Sequence, residues 1–173
     1  MVERNMLRPA AEFYIDHANT NGRMNNRGAI HNSAVMAIGV AIGDRSYVDQ
    51  ALNSPQSGFH PLSTRIYGPD GLAWEGFGYH TYTLAGLSPI AEMAYRIGIN
   101  AYADPAYRGV FEAPVQVFLP VEGRPEQRHG LVRHYETVCK RYAEMGDPLE
   151  FPFDDEGGVR VIPSSSHHFD HFG

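Results

Sequence analysis

The stretch that most constrains this chain is NSAVMAIGVAIG, residues 32–43. From Ala34 to Ile42 every residue is apolar or glycine, so a helix made from it is apolar on nearly all sides. Such a helix has no face to offer water and must be enclosed by other elements. A bilayer cannot enclose it, because a span needs about 20 apolar residues and this run is far shorter. Its small side chains let neighbours approach closely. The spacing predicts a buried helix over about residues 29–42, with Gly43 as its stop and Asp44 capping the helix that follows.

The rest of the chain reads as further helices. Leu7, Ala10, Ala11, Tyr14, Ile15 and Ala18 form a helical stripe that predicts a helix over residues 6–19. After the polar loop NTNGRMNNRG comes the buried helix, then a third over RSYVDQALNS. A proline- and glycine-broken stretch with the turn Pro69-Asp70-Gly71 precedes a long helix over residues 77–97. Tyr79, Tyr82, Leu87, Ile90, Met93 and Ala94 are its expected buried positions, and Pro89 is expected to kink or divide it. DPAYRGVFEAPVQVFLP predicts one more short helix, and residues 126–145 an amphipathic one. GGVRVIPSS alone has clear strand character. The expected fold class is therefore all-α, an array of paired helices over residues 1–150, with a linker and the beginning of a β element over 151–173.

Composition narrows the function classes. The 173 residues carry a formal net charge of −6, and Lys140 is the single lysine. A nonspecific nucleic-acid binder needs a basic stripe for phosphates, so nucleic acid is not an expected partner, and no membrane segment is visible. An anionic substrate stays possible, since a local pocket can oppose the overall sign. Cys139 is the only cysteine and reads as a small packed hydrophobe. MVERNMLRPAAEFYIDHANT shows no continuous apolar region of the signal-peptide kind.

Chemistry-bearing side chains gather in two stretches: Asn26, His31 and Asn32 in the first, and Trp74, Glu75, Tyr79, His80 and Tyr82 in WEGFGYHTY. Capping alone accounts for an asparagine at a helix start. Tyr79 and Tyr82 are three apart and share a helix face, whereas His80 points elsewhere. Asparagine, histidine and tyrosine without a clear carboxylate pair suit β-elimination on a uronic acid. Neutral amide and imidazole donors can hydrogen-bond the sugar carboxylate and stabilise the developing enolate. A tyrosine can protonate the departing glycosidic oxygen, and a tyrosine or histidine can take the carbon-bound proton. A phenol with a reference pKa of about 10 serves more readily as acid than as base.

In order along the chain, NNRGAIHNSAVMAIGVAIGD, ALNSPQSGF, IYGPDGLAWEGFGYHTYTLAGL and GINAYADPAYRGVFEAP resemble the heparinase II/III-type polysaccharide lyases and the alginate lyases that share their toroid. The resemblance covers roughly residues 6–120 and is strongest over 26–113. It implies an incomplete (α/α) toroid of helical hairpins followed by a truncated β-sandwich domain, in a periplasmic or secreted enzyme. It further implies an anionic uronate polysaccharide as substrate, with no cofactor and no essential catalytic metal. On this likeness Asn32 and His31 neutralise the uronate carboxylate and Tyr79 is the acid, and also a candidate base. Glu75, His80, Trp74 and Tyr82 are the expected substrate-binding residues. A further histidine of such enzymes would fall to His167, His168 or His171.

Other readings compete. A glycoside hydrolase on a similar toroid needs two carboxylates, and Asp70 with Glu75 is the nearby pair. A glycan-binding or structural module needs no catalysis at all. HHFDH, with His167, His168, Asp170 and His171, contains plausible zinc ligands, although alternation along a strand would separate them.

Overall fold

The computed structural model describes residues 1–22, 24–68, 71–117, 125–149 and 152. Its α-helices are α1 (Arg8–Asn21), α2 (Asn26–Ile42), α3 (Arg45–Asn53), α4 (Phe59–Arg65), α5 (Phe77–Arg96), α6 (Pro105–Val117) and α7 (Pro125–Glu144). A π-helical turn at Glu3–Leu7 leads into α1, and a 3-10 turn at Ala101–Ala103 precedes α6. Among the described residues the only β pairing is an isolated bridge between Tyr67 and Ala73. The all-α expectation therefore holds there. The β element expected in GGVRVIPSS, like HHFDH, lies outside the described residues.

The apolar run is the hub. α2 packs against α1, α3 and α5, with a smaller contact to α4. Val35, Met36 and Ile38 are buried, yet Ala37 and Ala41 are exposed. The expectation of a wholly enclosed helix is thus corrected: a narrow alanine strip reaches solvent, at little cost because the side chains are methyl groups. The helix also starts earlier than its apolar pattern suggests. Asn25 is the N-cap, its Oδ1 accepting the Gly28 N–H at 3.0 Å. His31 and Asn32 consequently sit in the second turn, where capping cannot explain them. Gly43 ends the helix as expected, and Asp44 caps α3 by accepting the Ser46 N–H at 3.0 Å. The same carboxylate receives Arg8 at 2.6 Å, which fastens α1 to the start of α3.

α5 crosses α2 where a glycine removes the side chain between them. A Cβ on Gly86 would lie 2.4 Å from the Ala29 carbonyl carbon, so the two backbones touch. Pro89 neither divides α5 nor ends it. The hydrogen bond it deletes would have reached the carbonyl of Ala85, and both residues are exposed, so water can serve that oxygen.

Aromatic residues fill the space enclosed by α4, α5, α6 and α7. Phe59, Tyr67, Tyr102, Tyr107, Phe111 and Tyr135 are all buried. Their rings meet mostly edge-on or tilted, as between Phe111 and Tyr135 at 5.2 Å. The hydroxyls find acceptors: Tyr107 donates to Ser88 at 3.3 Å, and Tyr135 to the Phe111 carbonyl. Glu92 of α5 receives Arg141 of α7 in a fork, at 2.6 and 2.9 Å, and Arg96 at 2.9 Å. Those guanidinium groups hold the Glu92 carboxyl at about 2, well below the usual carboxylate range.

Candidate functional site

The head of α5 is shaped by the loop before it. Gly68 donates to the Leu72 carbonyl at 2.9 Å and Gly71 to the Gly68 carbonyl at 2.9 Å, making a tight turn behind the Tyr67–Ala73 bridge. Gly71 has a φ of +76°, and a Cβ there would come within 2.3 Å of the Gly109 carbonyl oxygen. Only glycine satisfies both conditions, so this turn is seated directly on α6. The loop then leaves Trp74 at 75% exposure, with Glu75 also exposed, immediately before α5 begins.

Along the first turns of α5 the side chains divide as their spacing predicts. Tyr79 and Tyr82 are 51% and 52% exposed and lie on one face. Their expected burial is therefore corrected, while Leu87, Ile90 and Ala94 are buried as expected, and the buried stripe reaches the head of the helix through His80, Thr83 and Leu84. His80 is fully buried, with Nε2 3.0 Å from the Val110 carbonyl oxygen. A carbonyl only accepts, so Nε2 carries the proton. The ring meets Tyr67 edge-on at 4.8 Å, and the Tyr67 hydroxyl donates to the His80 carbonyl at 3.1 Å. Burial lowers the His80 pKa to about 4, so the imidazole is neutral near pH 7. In this position His80 joins α5 to α6 and presents nothing to solvent.

The first stretch faces other neighbours. Asn32 is 3% exposed, and its Nδ2 donates to the Ala51 carbonyl at 2.5 Å, inside the α2–α3 contact. His31 stacks on Tyr14 of α1 at 4.8 Å and meets His17 edge-on at 6.0 Å. Asn26 is buried, and its Oδ1 accepts the Arg27 N–H at 2.7 Å. The expected set is thus carried on two helices packed together, α2 and α5. Its side chains nevertheless face α1 (His31), α3 (Asn32), α6 (His80) and solvent (Tyr79, Tyr82, Trp74 and Glu75).

Beside Tyr82 a groove of about 680 Å³ opens between α5 and α7. Gly78, Thr81, Tyr82, Ala85 and Pro89 line it from α5, and Arg133, His134 and Thr137 from α7. Of the expected site residues, Tyr82 is in this lining. Neither His134 nor Arg133 stands out in the sequence, because their meeting with α5 is a contact between distant segments. The i, i+4 spacing of Arg133 and Thr137 was the available signal, marking one polar face of an amphipathic helix. Burial and the Arg133 charge both push the His134 pKa down. Cys139 is half-buried, and burial pushes its thiol up to about 11, in keeping with a packing role. Among the described residues no group of three His, Cys, Asp or Glu could hold a metal ion, and no helix is long and apolar enough to cross a membrane.

Comparison with known proteins adds one finding. No curated protein and no solved structure matches the chain. A family model described as alginate lyase matches residues 4–126, a span that holds both polar stretches and the turn that presents the second. By that match the chain belongs to the alginate lyase family.

Proposed function

We propose that this chain is the helical part of a polysaccharide lyase that cleaves a uronate-containing polymer by β-elimination, acting in the periplasm or outside the cell. The observation that carries this reading is the family match over residues 4–126, which includes every residue of the proposed set. The geometry supports it at Tyr79, whose half-exposed phenol stands in the first turn of α5 on the same face as Tyr82.

In the reaction, the proton on the carbon next to the carboxylate goes to a base. The bond from the neighbouring carbon to the glycosidic oxygen breaks, a carbon–carbon double bond forms, and the departing oxygen takes a proton. Tyr79 supplies that last proton. The family likeness assigns neutralisation of the carboxylate, which stabilises the developing enolate, to Asn32 and His31. Here they pack against α3 and α1, so reaching a sugar beside Tyr79 requires them to turn out of those contacts. An asparagine amide has two N–H donors, and Asn32 spends one on Ala51. Glu75, Trp74 and Tyr82 offer polar and ring surfaces to the sugar chain. His80 serves from behind, fixing the register of α5 on α6.

The test is the ultraviolet absorbance of an unsaturated uronate when protein meets alginate, and then heparin-like and other polyuronates. Tyr79→Phe is expected to lower kcat by roughly 10²–10⁴-fold, the usual weight of one general acid. Its melting temperature should stay unchanged, since the hydroxyl is at the surface. A fully active Tyr79→Phe protein removes Tyr79 from the mechanism. New reducing ends without a double bond would replace the lyase reading with hydrolysis.

A further inference from the structure

We propose that the groove between α5 and α7 is a saccharide subsite, in which the Arg133 guanidinium holds a uronate carboxylate while the Tyr82 ring covers a sugar face. This rests on the polyuronate reading of the preceding subsection. It concerns residues of α7 that lie beyond the segment matched by the family model.

Four observations converge on it. The groove, at about 680 Å³, falls within the ~300–1,000 Å³ usual for small-molecule sites. Its cation makes no ion pair with any described residue, a state it shares with Arg4, Arg27, Arg45 and Arg65, whereas Arg8, Arg96, Arg108 and Arg141 each hold a carboxylate. The acid in the same lining, Glu92, is engaged by Arg141 and Arg96, so among the described residues no carboxylate pairs with Arg133. On a chain of net charge −6, that makes the groove a local exception in sign, as a polyanion requires.

The remaining lining completes the chemistry. A planar guanidinium matches a carboxylate through two parallel hydrogen bonds, which a phosphate-free acidic sugar can supply. Thr137 presents a hydroxyl that can pair with those of a sugar. The half-exposed Tyr82 ring and the apolar Ala85 and Pro89 give the floor against which a sugar's C–H face can lie. His134, kept neutral beside Arg133, adds a hydrogen bond without a second charge.

Calorimetric binding of alginate oligomers, run beside cleavage kinetics, tests the subsite. In Arg133→Ala, Kd and KM should rise about tenfold, more than kcat falls, and the salt dependence of binding should flatten. Arg133→Lys should recover part of the affinity, and Tyr82→Ala should weaken binding without changing the salt dependence. The melting temperature of Arg133→Ala should match that of the parent, because the side chain is exposed. Cleavage with unchanged KM and salt dependence in Arg133→Ala overturns the subsite and leaves the lyase reading standing. Arg133-dependent binding without cleavage does the reverse. A parent protein that binds no oligomer, or a lowered melting temperature with unchanged Kd, also overturns the subsite; the latter assigns the groove to packing.

Discussion

The two faces of α5 are built by opposite means. Toward α2 the helix closes backbone on backbone, because Gly86 leaves nothing between it and Ala29. Toward α7 it stands off, lined by Tyr82, Ala85 and Pro89, and the helices are tied by the Glu92–Arg141 fork. One face secures the fold and the other keeps space for a ligand. The contrast shows that a single helix can be rigid scaffold and binding wall at once, depending on side-chain size one turn to the next.

Substitutions can break this contrast from either side. The largest effect is expected for Gly86→Leu, which forces side-chain atoms into a backbone that cannot yield and should cost ~3 kcal/mol or more. Denaturant titration would show it; a stable Gly86→Leu protein would mean that α2 and α5 do not meet here. Next comes the inner anchor of the same helix. The folded His80 pKa lies near 4, below its ordinary 6.5, so the unfolded chain binds the proton more readily. Stability present above about pH 6.5 should therefore be lost as pH falls toward 4, by up to ~3 kcal/mol. His80→Gln should flatten that slope in unfolding curves taken across the same window, and an unchanged slope would separate it from His80.

The outer face should respond more mildly. Glu92→Ala removes charge-assisted hydrogen bonds that are partly exposed, so about 1–2 kcal/mol is expected in thermal unfolding. Equal melting temperatures would show that the fork does not hold α7 in place. The smallest effect, of opposite sign, belongs to Gly78→Ala. A Cβ there meets nothing within 4 Å, and alanine should stabilise the helix by up to ~1 kcal/mol. Set beside Gly86→Leu, it tests whether the asymmetry of α5 lies in its neighbours and not in its own propensity.

Much of this architecture was legible along the chain. Gly43 and Asp44 marked the α2–α3 junction because caps are local chemistry, decided within a few residues. The start of α2 was less legible. NNRG looks like a loop, yet Asn25 caps and Gly28 already lies inside the helix. Tyr79 and Tyr82 were expected inside on hydrophobicity, whereas burial in α5 is decided chiefly by where α2 stands. The same limit hid the groove: no local pattern reports that Arg133 will face Tyr82 across some fifty intervening residues. His80 was readable as pointing away from the two tyrosines, but its carbonyl partner on α6 was not.

The exposed Trp74 is also the chain's single indole. Its fluorescence therefore speaks for the mouth of α5 and hardly at all for the aromatic interior, which is tyrosine and phenylalanine. Emission should already be red-shifted in the native protein and change little when the core melts, so unfolding is better followed by circular dichroism. A sugar laid across that mouth would shield the ring, and a blue shift on adding oligosaccharide would register occupancy without any attached label.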